Sequence, residues 1–146
     1  MQFSPVPPLA AAFAVMLAGG AVAEEGRPAP RGREGLTRVP MTFANAGPAS
    51  MACASAIAHW HSLDLGRAEA GGSIAFDLWA DTASGAIFLL NGSEDRMPVE
   101  SLWCGIAGRS WETRATIALA RRAGVSPPPG DFLCRQAEDH VICEAR

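Results

Sequence analysis

The sequence has no lysine and no tyrosine. Apart from three histidines all of its basic side chains are therefore arginine, and they form neither a run nor a stripe with interleaved aromatics, which argues against nucleic acid as a partner. No two cysteines stand close enough for the CxxC-type spacing of a zinc cluster. No glycine-rich phosphate loop opens a helix. A nucleophile elbow of the G-x-S-x-G kind is missing too, since "GGSIA" puts its serine directly after two glycines and reads as a turn. The apolar stretch Leu9 to Ala18 is about half of the ~20 residues a membrane-spanning helix needs.

What the chain does contain begins with a leader. At 146 residues it is long enough for one domain and one core. Residues 1–23 combine that apolar stretch with Ala21-Val22-Ala23, small residues at −3 and −1 that suit signal peptidase, so they are expected to be a secretory signal peptide. The leader holds no ionisable side chain, so the mature chain keeps the formal charge of −3. The expected location is the periplasm or the outside of the cell, with no membrane span after cleavage. In such an oxidising space the four cysteines read as two disulfides. Order along the chain favours Cys53 with Cys104 and Cys134 with Cys143 among the three possible connectivities.

Residues 24–35, "EEGRPAPRGREG", carry no large apolar side chain and are rich in proline, glycine and charge, which predicts a flexible arm. From residue 36 to residue 123 short apolar runs alternate with turn formers about every ten residues, the mark of a sandwich or barrel. In Ser73 to Asp81, Ile74, Phe76, Leu78 and Ala80 fall on one face and Asp77, Trp79 and Asp81 on the other. Ala86 to Leu90 is apolar on both faces and belongs in a central strand, with Asn91-Gly92 as the turn after it. Ser110 to Leu119 alternates as well, with Trp111, Thr113, Ala115, Ile117 and Leu119 on the inward side. Residues 124–146 read as a proline-rich linker followed by a hairpin closed by Cys134 and Cys143. The expected fold is all-β: a small antiparallel β-sandwich of about seven strands with that C-terminal hairpin, a small β-barrel being the alternative. A Cys53 to Cys104 bridge enclosing Trp60 resembles the immunoglobulin arrangement of two bridged sheets over a tryptophan, as architecture rather than kinship.

Candidate sites are few. His59 and His61 flank Trp60, and on an extended segment residues i and i+2 project from one face, so both imidazoles would stand together. Two histidines make a weak metal site, and a third ligand would have to come from His140, Met51, Met41, Met97 or Asp64. The absence of histidine and methionine after Cys104 in "WCGIAGRSWETR" argues against a blue-copper site. Asp77 with Asp81, and Glu94 with Asp95, are carboxylate pairs of the kind that solvated strand faces and turns carry. The four tryptophans fall in four different predicted strands, and alternation cannot bury all of them. Trp79 and Trp60 are the candidate binding surface. These features point to an exported, disulfide-stabilised binding or structural module without catalytic activity or cofactor, meeting another exported protein or a surface glycan. The alternative is a periplasmic copper- or zinc-binding accessory protein using His59 and His61.

Overall fold

The computed structural model describes residues 30–58 and 61–146. The expected signal peptide at residues 1–23, and His59 and Trp60, lie outside the described residues. Among the described residues all regular structure is strand: β1 (Thr37–Asn45), β2 (Met51–Ile57), β3 (His61–Ala68), β4 (Ser73–Asp81), β5 (Ala86–Leu90), β6 (Arg96–Ile106), β7 (Ala115–Ile117), β8 (Gly130–Ala137) and β9 (His140–Ala145). They form one open, nine-stranded sheet in the order β3-β2-β6-β5-β4-β1-β8-β9, with β7 against β6. The sheet folds over on itself, so that β3 packs on β4, and β9 packs on β6 and β7. One hydrophobic cluster fills the space enclosed.

The sheet departs from expectation in two respects. It is mixed, because β8 runs parallel to β1 while the other strand pairs are antiparallel. A parallel partner requires a long return of the chain, and the segment 118–129 supplies it after β7. Its Pro127, Pro128 and Pro129 lie with Val39, Met41 and Leu78 around an apolar hollow of about 190 Å³. The immunoglobulin comparison also fails in detail. Cys53 and Cys104 are directly opposed on the neighbouring strands β2 and β6, with Cα atoms 4.0 Å apart, so their bridge closes a rung within one sheet instead of joining two. Cys134 and Cys143 do the same across β8 and β9.

Strand periodicity explains most of the core. In β1, Val39, Met41, Phe43 and Asn45 are buried in alternation. Phe43 stacks between Phe76 of β4 and Phe132 of β8, with ring centroids 5.7 and 5.0 Å away. In β4, Ile74, Leu78 and Ala80 are buried as alternation requires, with Phe76 packed beside them. β5 lies in the interior of the strand order with Ile87 and Leu89 buried.

β6 departs from strict alternation, and the departure sets up the site. Its first residues, Arg96 to Pro98, pair with β5, whereas Leu102 to Cys104 pair with β7, while β2 runs along the other side. Between these halves the register with β2 slips: Ala56 faces Ser101 but Ile57 faces Val99, leaving Glu100 as an extra residue. Such a bulge bends a strand and reverses the parity of the residues after it. Val99 therefore shares the interior with Leu102 and Cys104, three and five positions later.

The N-terminal approach to β1 is tied down over its described part. Of the segment expected to be a flexible arm, residues 30–35 meet the turn before β6. Gly32 donates its amide to the Glu94 carbonyl, Arg96 reaches the carbonyls of Gly32 and Glu34, and Arg31 pairs with Asp95. Composition gives no sign of this, because the anchor is the turn at residues 94–96, some sixty residues away.

Candidate functional site

The outward positions of β2 are Ala52, Ala54 and Ala56, while Met51, Cys53 and Ser55 face the core. Three small side chains in a row leave a shallow floor on the outer surface of the sheet. Trp103 rises beside it on β6, opposite Ala54, and points outward because the Glu100 bulge has turned its parity.

The chain after β6 folds back over Trp103. Thr113 anchors this loop: its hydroxyl accepts the Ile106 amide at 2.8 Å and donates to the Arg109 carbonyl at 2.8 Å, and the side chain is buried. The return passes so close to β6 that a Cβ on Gly105 would overlap the Ser110 carbonyl oxygen and lie 2.7 Å from its Cα. Only glycine leaves that room. Gly105→Ala is therefore expected to displace the loop at a cost of about 1–3 kcal/mol, the range for overpacking. The checks are a lowered denaturation midpoint and loss of the near-UV circular dichroism contributed by the tryptophan pair.

That loop delivers Trp111. Its ring meets Trp103 edge to face, with centroids 5.1 Å apart and planes at 79°. Trp103 is 5% exposed and Trp111 is 53% exposed, so one ring forms the base and the other lies about half open to solvent above it. The Arg114 guanidinium lies 3.8 Å from the Trp111 ring centroid, and the same side chain donates to the Trp111 carbonyl. A cation over an indole is attractive and restrains the ring. The Trp103 indole N–H has no hydrogen-bond partner among the described residues.

Trp111 is a shared wall of two open hollows. One, of about 380 Å³, is lined by Ala56, His61, Ser62, Glu100, Trp103 and Trp111. The other, of about 500 Å³, lies over Ala52 and Ala54 and is edged by Ser62, Asp64, Arg109 and Glu112. Asp64 also accepts the Gly66 amide, which fixes its carboxylate at the irregularity in β3. The arrangement offers an exposed aromatic plane bordered by carboxylates, a hydroxyl and an imidazole.

The residues singled out from sequence are distributed otherwise. His61 borders the site at the start of β3, whereas Met51 is buried at the far end of the β2–β3 hairpin, opposite Ala68. Those two candidate metal ligands are not brought together. His140 is exposed at the β8–β9 turn beside Asp139, and Met41 is buried on the inner face of β1. Trp79 is half-buried on the outer face of β4, and the Arg33 guanidinium sits 5.0 Å from its ring centroid. Among the described tryptophans Trp111, which alternation places inward, is the exposed one. It falls in a turn, and β7 begins only at Ala115. The signal for this is the turn-forming stretch "GIAGRS" immediately before it.

No protein-family model, no curated protein and no solved structure matches this chain. The fold and site together define a small all-β domain, closed by two disulfides, with an aromatic groove on its outer face.

Proposed function

We propose that the protein is an exported binding module and that its ligand is a surface glycan, held across Trp111. The observation that carries this reading is the exposed Trp111 ring, seated on Trp103 between two hollows edged by Glu100, Ser62, Asp64 and Glu112. A sugar ring has an apolar face of C–H groups and a rim of hydroxyls. The first suits an indole plane and the second suits carboxylate and hydroxyl partners. The alanine floor leaves space for a chain of sugars to lie along β2. A protein partner would call for a more continuous apolar centre than this polar-edged groove provides. Export is supported by the leader pattern and by both disulfides, which persist in oxidising compartments.

The test is titration of the mature protein with soluble fragments of envelope and extracellular polysaccharides, read by tryptophan fluorescence and calorimetry. Saturable binding is expected, and Trp111→Ala should weaken it at least about tenfold, as for a central aromatic contact. The substitution is at an exposed position, so the fold should be unaltered by far-UV circular dichroism. Absence of binding across the panel, or an unchanged affinity in Trp111→Ala, would overturn the reading.

A further inference from the structure

The two disulfides are far apart in sequence but adjacent in space. The Sγ atoms of Cys104, Cys134 and Cys143 all lie within 4.8 Å of one another. Cys104 is thus the sulfur of the first bridge that faces the second. Folding of the sheet produces this meeting, because β9 packs on β6 and carries Cys143 with it. The sulfurs also differ in access: Cys53, Cys104 and Cys134 are fully buried, and Cys143 is only partly so.

We propose that the two bridges form a single thiol–disulfide exchange site, opened by an external thiolate at Cys143 and relayed through Cys134 to Cys104. In the first step the thiolate of a reductant, either a small thiol or the cysteine of a thiol oxidoreductase, attacks Cys143 Sγ. A mixed disulfide forms there, the Cys134–Cys143 bond breaks, and its electron pair leaves on Cys134 as a thiolate. The freed Cys134 side chain regains its rotamers, with Cys104 Sγ within 4.8 Å. In the second step Cys134 attacks Cys104 Sγ, the Cys104–Cys134 bond forms, and Cys53 leaves as a thiolate that takes up a proton. A second reductant thiol then attacks the mixed disulfide, releasing the oxidised reductant and a thiol at Cys143. The balance is one reductant disulfide formed and two thiols, Cys53 and Cys143, gained by the chain. Each step is an ordinary exchange of a thiolate on a disulfide sulfur. The product is a bridge linking β6 to β8 in place of two rungs that each joined neighbouring strands. This proposal is independent of what the Trp111 groove binds.

The experiment is a timed exposure of the folded protein to reduced glutathione, quenching with an alkylating reagent, and peptide mapping under non-reducing conditions. The expected result is a Cys104–Cys134 peptide that accumulates in step with alkylated Cys53, one for one, after glutathione appears on Cys143. A second arm uses Cys143→Ser, which starts with its only thiol at Cys134. Exchange should divide the alkyl label between Cys134 and Cys53. Label confined to Cys134 and Cys143 in the parent chain, with the Cys53–Cys104 bridge intact throughout, would overturn the proposal. Should Cys143→Ser not fold, the peptide map of the parent chain is decisive by itself.

Discussion

Replacing Cys53 and Cys104 together by alanine is expected to lower the stability of the domain by about 4 kcal/mol. The bridge spans 51 residues of sequence, and the chain-entropy estimate for closing a loop of that length in the unfolded state is about 4 kcal/mol. Both half-cystines are fully buried, so removal of their sulfurs adds a packing loss of the same sign. Stability of a domain this size is of the order of 5–15 kcal/mol, and the loss is a large fraction of it. The corresponding change at Cys134 and Cys143, nine residues apart, should cost about 2.5 kcal/mol on the same estimate. Urea denaturation of the parent and both double variants checks the magnitude and the ranking. A loss below about 1 kcal/mol for the long-range bridge, or a reversed ranking, would show that chain entropy is not what this bridge supplies.

The cysteine pairing was legible because an even count of cysteines, paired in order along the chain, gives it. What the bridges do was not, because rungs within one sheet and a meeting of two rungs are properties of how the sheet folds. The same division runs through the fold. Ile74, Leu78 and Ala80 announce the buried face of β4, and the run Ala86 to Leu90, apolar on both faces, announces a central β5, since strand periodicity is local. β6 could not be read that way. Val99 and Leu102 are both interior, an odd spacing that looks like noise in sequence and becomes sense only with Glu100 bulged against β2. The parallel pairing of β1 with β8 joins segments some ninety residues apart, and no short-range signal marks it.

The candidate site was half visible. An excess of tryptophan over buried positions correctly implied that some indole stays exposed, but the choice of Trp79 rested on parity within a well-formed strand. Arg33 lies against the Trp79 ring from the described end of the segment expected to be an arm. Trp111 reads as inward only when the β7 alternation is extended four residues too far back. The Thr113 hydrogen bonds close a turn there, and a buried threonine in a turn reads in sequence like a buried threonine in a strand. The alanines of β2 carried the remaining information. Their small size on every outward position is what a groove floor needs, yet by composition alone they resemble the alanines of the rest of the chain.

Asn45→Ala is expected to cost about 2–4 kcal/mol, the second large effect. Asn45 ends β1, and its side chain is 5% exposed. Its amide nitrogen donates to the carbonyls of Ala49 and Ala68 at 2.9 and 3.1 Å, and its oxygen accepts the Gly47 amide at 3.0 Å. One side chain thereby joins the start of β2 to the end of β3, the two strands that floor and edge the Trp111 groove. Alanine would leave three backbone groups without their partner, each at roughly 1 kcal/mol or more when shielded from water. Asn45→Asp separates the geometry from the hydrogens. A carboxylate keeps the acceptor for Gly47 but sets negative charge against two carbonyl oxygens, so the neutral acid is favoured and the folded-state pKa of that aspartate should rise above its unfolded value of about 3.9. The extra cost of Asp over Asn is then complete above the raised folded pKa, and it shrinks as pH falls toward the unfolded value. The parent has an acid loss of its own at lower pH, because Asp81 and Asp95 are held below the usual carboxylate range by hydrogen bonds from Ser84 and Asn91, and what they contribute is lost as pH falls from the ordinary carboxylate value through their lowered ones. Each variant must therefore be compared with the parent at the same pH, by denaturation between pH 4 and pH 7. An Asn45→Asp deficit that stays constant with pH, or an Asn45→Ala loss under about 1 kcal/mol, would remove Asn45 from the role of joining these strands.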